Sequence, residues 1–101
     1  MFARVSTYEI PDGRMDDAVT SFRSALEQIG SLDGFSEGFF IVSGEEEKAT
    51  SLTLWTTRRA LEASRITASR LRSEAARSID SAVASACEYE VAVHVRGEGP
   101  S

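Results

Sequence analysis

Few side chains in the sequence are of the types that usually perform chemistry, and they are scattered along the chain. His94 is the only histidine and Cys87 the only cysteine. A histidine titrates near neutral pH and could act as a general base, although a lone histidine is more often a surface or subunit-contact residue. A single histidine without clustered cysteines predicts no transition-metal site. Cys87 has no partner for an internal disulfide, and we expect it to be inert and partly buried.

The sequence lacks the common motifs for cofactors and nucleophiles. Serines are numerous, but no Gly-x-Ser-x-Gly elbow positions one of them for attack. There is also no phosphate-cradling glycine loop and no dinucleotide fingerprint, so we expect no cofactor. Residues 45–47 are three consecutive glutamates at a predicted turn. Such a run is typical of a solvated turn rather than of a cation site.

The spacing around Trp55 is more suggestive of a binding pocket. Ser51, Thr53 and Trp55 recur at every second residue, so in a strand their side chains share one face. Two hydroxyls beside a large aromatic ring could line a pocket for a small molecule. Alternatively, Trp55 is a core residue whose indole N–H donates to a backbone carbonyl. Both interpretations stay open, because a pocket wall can also belong to the core.

The hydrophobic pattern predicts the elements that must position these residues. Apolar residues at helical spacing from Met15 to Ile29 predict a first helix. Residues 58–84 contain no Pro or Gly and predict a second helical region, which the β-branched residues Ile66 and Thr67 divide into a short and a longer helix. Four strands are predicted, the second and third joined as a hairpin by the acidic turn: residues 2–10, 35–43, 48–56 and 87–96.

This order of elements predicts the fold class. Strand, helix, strand, strand, helix, strand is the ferredoxin-like split βαβ arrangement, an α+β fold with both helices on one face of an antiparallel sheet. A chain of 101 residues has room for one such domain. We place the domain at residues 1–96 and expect residues 97–101 to form a flexible C-terminal tail.

Composition and charge exclude several kinds of partner. The chain has 16 acidic and 11 basic residues, a net charge of -5, and the arginines do not cluster into a basic stripe. Nucleic acid is therefore not an expected partner. No apolar segment approaches the roughly 20 residues that cross a bilayer, and the N-terminus lacks the pattern of a secretory signal. We expect a soluble, cytoplasmic protein with no membrane partner.

The uncovered face of the sheet predicts a protein partner. Helices cover one face only, yet residues 39–42 are apolar on both faces, and Leu52 and Leu54 point away from Trp55. Monomers rarely expose apolar patches beyond a few hundred Å². We therefore expect a homodimer in which the open sheet faces of two copies pack together. The alternative is a monomer with an ordinary mixed surface.

Several segments, taken in order, resemble a known family. They are Phe-Ala-Arg-Val-Ser at 2–6, Leu-Asp-Gly-Phe-Ser-Glu-Gly at 32–38, Ser-Leu-Thr-Leu-Trp at 51–55 and Arg-Ala-Leu-Glu-Ala-Ser at 59–64. This pattern is similar to the antibiotic biosynthesis monooxygenase (ABM) family of dimeric α+β barrels. The resemblance implies a small homodimer with a pocket between the helices and the sheet of each subunit. Some members oxidise polyketide quinone precursors with dioxygen and no prosthetic group, and others bind and degrade haem.

The resemblance also implies which residues line the pocket. Trp55 matches the family's pocket tryptophan, and Arg72 resembles an arginine of some quinone-forming members. Ser6 matches a position on the first strand where haem-degrading members have Asn. Because side chains alternate along a strand, Arg4 and Tyr8 then lie on the same face as Ser6. The implied pocket candidates are Arg4, Ser6, Tyr8, Ser51, Thr53, Trp55 and Arg72.

This chain departs from both activities at particular positions. Quinone-forming members have Asn where this chain has Ser51 and Tyr where it has Leu61, while haem-degrading members have an iron-ligating His where it has Arg65. A guanidinium offers no lone pair to iron, so the comparison argues against haem. Two functions remain. The first is a cofactor-independent monooxygenase acting on a small aromatic or phenolic substrate; the second is a non-catalytic, small-molecule-binding or stress-related dimer.

Overall fold

The computed structural model describes residues 1–99 and has the predicted order of elements. The four strands form one antiparallel sheet in the order β2-β3-β1-β4, and the two helices pack against each other and against the sheet. The predicted α+β, ferredoxin-like fold is therefore confirmed for the single chain. The elements are β1 (Phe2–Glu9), α1 (Met15–Ile29), β2 (Phe35–Ser43), β3 (Lys48–Trp55), α2 (Arg58–Ser78) and β4 (Val83–Glu90).

The second helical region is one continuous helix, so the predicted division at Ile66 and Thr67 is wrong. The side chain of Ile66 points to solvent and is 86% exposed. A β-branched residue there destabilises the helix only by its modest difference in helix propensity. The buried stripe of Leu61, Ala68 and Leu71 lies on the other side of the helix. Thr57 caps the start, accepting a hydrogen bond from the Ala60 N–H.

The last strand lies earlier in the chain than predicted. α2 ends at Ser78 rather than at residue 84, and Asp80 adopts a left-handed φ of 58° that turns the chain toward β4. β4 then runs from Val83 to Glu90 instead of over 87–96, because β1 begins at Phe2, which pairs with Glu90. One further backbone hydrogen bond, from the Val91 N–H to the Met1 carbonyl at 2.9 Å, follows this pair. Residues 91–98 follow outside any strand. Of the predicted tail, residues 100–101 lie outside the described residues.

The pairing register decides which side chains face the helices. β1 lies between β3 and β4, and Arg4 is opposite Thr53 on one side and Glu88 on the other. Ser6 is likewise opposite Ser51. Since side chains alternate along a strand, every second residue of these three strands points toward the helices. The register therefore gathers polar residues beneath α2.

An aromatic cluster fills the space between α1 and the sheet. The rings of Tyr8 and Phe22 lie 4.4 Å apart, and those of Phe22 and Phe40 are stacked at 4.6 Å. Burial of such rings dominates the stabilisation of a small core. The cluster thereby fixes α1 against β1 and β2.

The other face of the sheet is apolar and uncovered. Phe39, Ile41 and Tyr89 are exposed on it, and Leu52 and Leu54 are half-buried beside them. Cys87 lies two residues before Tyr89 on β4, so it points to the same face, and it is exposed. The expectation of a partly buried thiol is therefore wrong. We call this surface the outer face. Among residues 1–99, no helix combines the length and apolar character that a membrane span requires.

Candidate functional site

The structure buries all seven pocket candidates predicted from the sequence. None of them exposes more than 7% of its surface, and the six on β1 and β3 point toward the helices, as the period-two spacing requires. Arg72 meets them from α2. The buried set is Arg4, Ser6, Tyr8, Ser51, Thr53, Trp55 and Arg72.

Arg4 is buried and committed to hydrogen bonds within the chain. Its Nη1 donates to Ser64 Oγ at 3.0 Å and its Nη2 to the Leu61 carbonyl at 2.9 Å. Its Nε and Nη2 also donate to Glu88 Oε2, at 3.2 and 2.8 Å. The guanidinium thus links β1 to α2 and to β4, and four of its five N–H donors are used within the chain.

Glu88 is a further charged residue beside Arg4, which the sequence analysis did not identify. Its carboxylate accepts hydrogen bonds from Arg65 Nη2 at 2.6 Å and from Arg65 Nε at 3.0 Å, in addition to those from Arg4. The bonds from Arg65, helped by those from Arg4, lower the pKa of Glu88 to about 2. The carboxylate is therefore charged at neutral pH. Its signal in the sequence is weak: Glu88 and Glu90 alternate with Cys87 and Tyr89 at the end of the last strand.

Arg72 is the buried cation without a partner. It forms no salt bridge with any of residues 1–99, and its Nε has no hydrogen-bond acceptor. Burial lowers the pKa of Arg72, but a guanidinium still remains protonated at neutral pH. An uncompensated buried charge is costly, so this position favours binding of an anion.

Four of the aromatic and hydroxyl residues of the set pair with one another, whereas the buried Ser6 Oγ has no hydrogen-bond partner within residues 1–99. The Tyr8 hydroxyl lies 2.9 Å from Ser51 Oγ, and Trp55 Nε1 donates to Thr53 Oγ1 at 3.0 Å. The partner of the indole is therefore a side-chain hydroxyl and not the expected backbone carbonyl. Phe35 packs edge-on against Trp55 at 5.4 Å, and Trp55 has no exposed surface. Trp55 is thus core in this chain, and burial raises the pKa of Tyr8.

Two cavities lie between the helices and the sheet. The cavity between α1 and β2 measures about 440 Å³, and its walls are mainly apolar, with Phe35 and Phe40 among them, but none of the seven candidates lines it. The cavity between α2 and β4 measures about 350 Å³ and is lined by Arg4, Arg65, Ser69, Arg72, Ala86 and Glu88. We take the second, the α2–β4 cavity, as the candidate site, because it contains the unpaired guanidinium. Its size and charge suit a small anion.

The remaining reactive residues lie away from this site. His94 is exposed and follows the end of β4, and Cys87 lies on the outer face. Neither lines the α2–β4 cavity. The possibility that His94 serves as a general base finds no support in this placement, since a base must reach its substrate within hydrogen-bond distance.

Comparison with known proteins relates the fold to one group. No family model matches the chain, and no curated protein matches it by sequence. SnoaB, a cofactor-independent oxygenase from Streptomyces nogalater, superposes with a TM-score of 0.75 at 10% identity, over 95% of this chain and 97% of that chain. A protein of Nitrosomonas europaea described as an antibiotic biosynthesis monooxygenase gives 0.70 at 11% identity, over 92% and 100%.

A third structure gives the same result. A protein of Chloroflexus aurantiacus, also described as an antibiotic biosynthesis monooxygenase, gives a TM-score of 0.67 at 14% identity, over 97% of this chain and 98% of that chain. At such low identity the likeness establishes a shared fold. The resemblance seen in the sequence is therefore confirmed in the fold, along nearly the whole chain.

Proposed function

We propose that this chain is a cofactor-independent monooxygenase of the ABM type, acting on a small phenolic aromatic substrate. The observation that supports this most directly is the buried Arg72 guanidinium, which forms no salt bridge within residues 1–99 and lines a cavity. The fold is that of an oxygenase described as cofactor-independent, which is consistent with the proposal. A buried cation of this kind is what a deprotonated phenol needs, because a phenolate is the electron-rich form that can transfer an electron to dioxygen.

The proposed reaction balances without a reductant or a prosthetic group. In an anthrone, the CH₂ group opposite the phenol-forming carbonyl becomes a quinone carbonyl. One atom of dioxygen enters that carbonyl, and the other leaves as water with the two hydrogens of the CH₂ group. Arg72 holds the phenolate oxygen and lowers the pKa of the substrate phenol.

The assignment of anion binding to Arg72 rather than to Arg4 follows from their contacts. The sequence left both arginines as candidates. Arg4 donates to Glu88, Ser64 and the Leu61 carbonyl, whereas Arg72 keeps an unused Nε. A ligand oxygen bound at Arg72 therefore displaces no existing hydrogen bond of that side chain.

A second candidate function is that of a non-catalytic binding protein. It is favoured by the packing at Trp55, whose indole and ring are enclosed by Thr53 and Phe35. Tyr8 and Ser51 are also bonded to each other instead of pointing into a cavity. An aromatic substrate that stacks on Trp55 would require these side chains to move. A binding protein requires only the α2–β4 cavity.

For either function we propose a homodimer formed through the outer face. Phe39 and Ile41 on β2 and Tyr89 on β4 expose large apolar side chains at the two edges of one sheet surface. A second copy related by a two-fold axis can cover this surface, because the outer face of one copy then packs against the outer face of the other. The gain is about 25 cal/mol for each Å² of apolar surface buried.

Oxygen uptake tests the proposed activity. Anthrone is supplied to the purified chain, and both oxygen consumption and anthraquinone formation are followed above the uncatalysed rate. We expect turnover by the natural sequence and a loss of about 100-fold in Arg72→Gln, the usual effect of removing one oxyanion donor. Arg59→Gln, on the exposed side of α2, is the matched control and should be unaffected. Oxygen uptake that stays at the background rate would refute the monooxygenase and leave the binding protein.

A further inference from the structure

The α2–β4 cavity has more positive than negative charge. Three guanidinium groups line it, those of Arg4, Arg65 and Arg72, and one carboxylate, that of Glu88. The other lining residues, Ser69 and Ala86, are neutral. The carboxylate is charged at neutral pH, so the cavity has an excess of two positive charges. A phenolate at Arg72 would neutralise only one of them.

The second charge lies at a defined place in the cavity. Arg65 is 55% exposed and stands on the solvent side, whereas Arg72 and Arg4 are buried. Arg65 uses Nε and Nη2 to bind Glu88, and its Nη1 makes no hydrogen bond with residues 1–99. Glu88 is already shared with Arg4. A ligand acceptor can therefore reach Arg65 without breaking the Arg4–Glu88 pair.

We propose that the ligand of this cavity is a small aromatic acid that has a carboxylate in addition to its phenol. The phenolic oxygen binds Arg72 in the interior, and the carboxylate binds Arg65 at the entrance. This inference rests on the proposed function, because it names the substrate class of the same site. The cavity volume of about 350 Å³ lies at the lower end of the roughly 300–1,000 Å³ typical of ligand pockets, so the cavity suits a small ligand.

Binding of three simple probes tests the two charge positions separately. The probes are 2-hydroxybenzoate, benzoate and phenol, and affinity is measured by calorimetric titration at low salt, without any assay of turnover. We expect 2-hydroxybenzoate to bind most tightly, benzoate less tightly and phenol at least about 10-fold more weakly than 2-hydroxybenzoate. Added salt should weaken the binding of 2-hydroxybenzoate and benzoate more than the binding of phenol, because Arg65 is exposed to solvent.

Variants at the cavity entrance identify the carboxylate position. Arg65→Gln should reduce the affinity for 2-hydroxybenzoate about 10-fold and leave the affinity for phenol unchanged. Ser69→Asp, one helical turn after Arg65, places a competing carboxylate at the same wall and should have the same effect. Arg59→Gln is the control and should bind all three probes like the natural sequence. Both substituted residues are exposed, so the fold is retained.

Two results would overturn the inference. One is equal affinity for phenol and 2-hydroxybenzoate, and the other is an Arg65→Gln variant that binds 2-hydroxybenzoate as the natural sequence does. The test is separable from that of the proposed function, since anthrone has no carboxylate. Oxidation of anthrone without a preference for acids would contradict the inference alone. Tight binding of 2-hydroxybenzoate without oxygen uptake would contradict the monooxygenase alone.

Discussion

Replacing Glu88 by glutamine removes the negative charge that joins Arg4 to Arg65 while keeping the shape of the side chain. A pKa of about 2, compared with an ordinary value of 4.5, corresponds to an upper limit of about 3 kcal/mol at 1.36 kcal/mol for each pKa unit. About a quarter of the side chain is exposed, at 26%, so solvent screening reduces this figure. We expect Glu88→Gln to lower the free energy of unfolding at pH 7 by about 1–2 kcal/mol.

The pH dependence of this loss follows from the direction of the pKa shift. The pKa of the Glu88 carboxyl is lower in the folded than in the unfolded chain, so its contribution to stability is complete above about pH 4.5. It then disappears as the pH falls toward 2 and the folded carboxyl takes up its proton. The difference in unfolding free energy between the natural sequence and Glu88→Gln should therefore shrink from pH 4.5 downward.

Urea denaturation at pH 7, 4 and 2.5, at one fixed protein concentration, measures this difference. Glu74→Gln is the matched control, because Glu74 pairs with Arg70 at 3.3 Å on the exposed surface of α2. Such a pair contributes about 0.5 kcal/mol or less. The reasoning is refuted if Glu88→Gln destabilises no more than the control, or if its deficit at pH 2.5 equals that at pH 7.

Three further predictions concern the outer face, the junction of β2 with α2, and the buried hydroxyls. Phe39→Glu should give a particle of monomer mass in light scattering. The control Ile66→Glu, on the exposed side of α2, should leave the dimer intact. An unchanged mass for both variants would contradict the proposed interface. Gly34→Ala should lower the free energy of unfolding, measured in urea, by more than about 2 kcal/mol, because φ is 80° at this position and a Cβ there collides with the Ala60 side chain. The control Gly44→Ala places its Cβ in open space and should be nearly neutral. Tyr8→Phe should cost about 1–2 kcal/mol in the same assay, since Ser51 Oγ loses its buried partner, and a neutral result would show that this bond contributes nothing.

The sequence predicts the elements best where the hydrophobic period is unbroken. α1 has the predicted bounds, because its apolar stripe is continuous. The division of the second helix is wrong because β-branched residues disfavour a helix mainly when they are crowded, and the sequence does not show that Ile66 points to solvent. The early start of β4 is missed because Val83 fits a helical stripe as well as a strand, and the left-handed turn uses Asp80 instead of a glycine.

For the site, the sequence predicts faces but not partners. Alternation is a local property, so it correctly places Ser51, Thr53 and Trp55 on one face. The pairing of Arg4 with Glu88 joins residues 84 positions apart and depends on the register between β1 and β4. No local pattern contains that register. The commitment of Arg4, and hence the availability of Arg72, becomes evident only once the sheet is assembled.

The central position of the first strand has a consequence for how the chain acquires its structure during synthesis. β1 precedes the other five elements in the chain, yet its two neighbours in the sheet are β3 and β4, and β4 is made after the other five. The hairpin of β2 and β3 can form locally, but β1 stays unpaired on one side until residue 90 has emerged. The sheet is thus completed only after β4 has been made, and until then an apolar strand edge is open to chaperones or to aggregation.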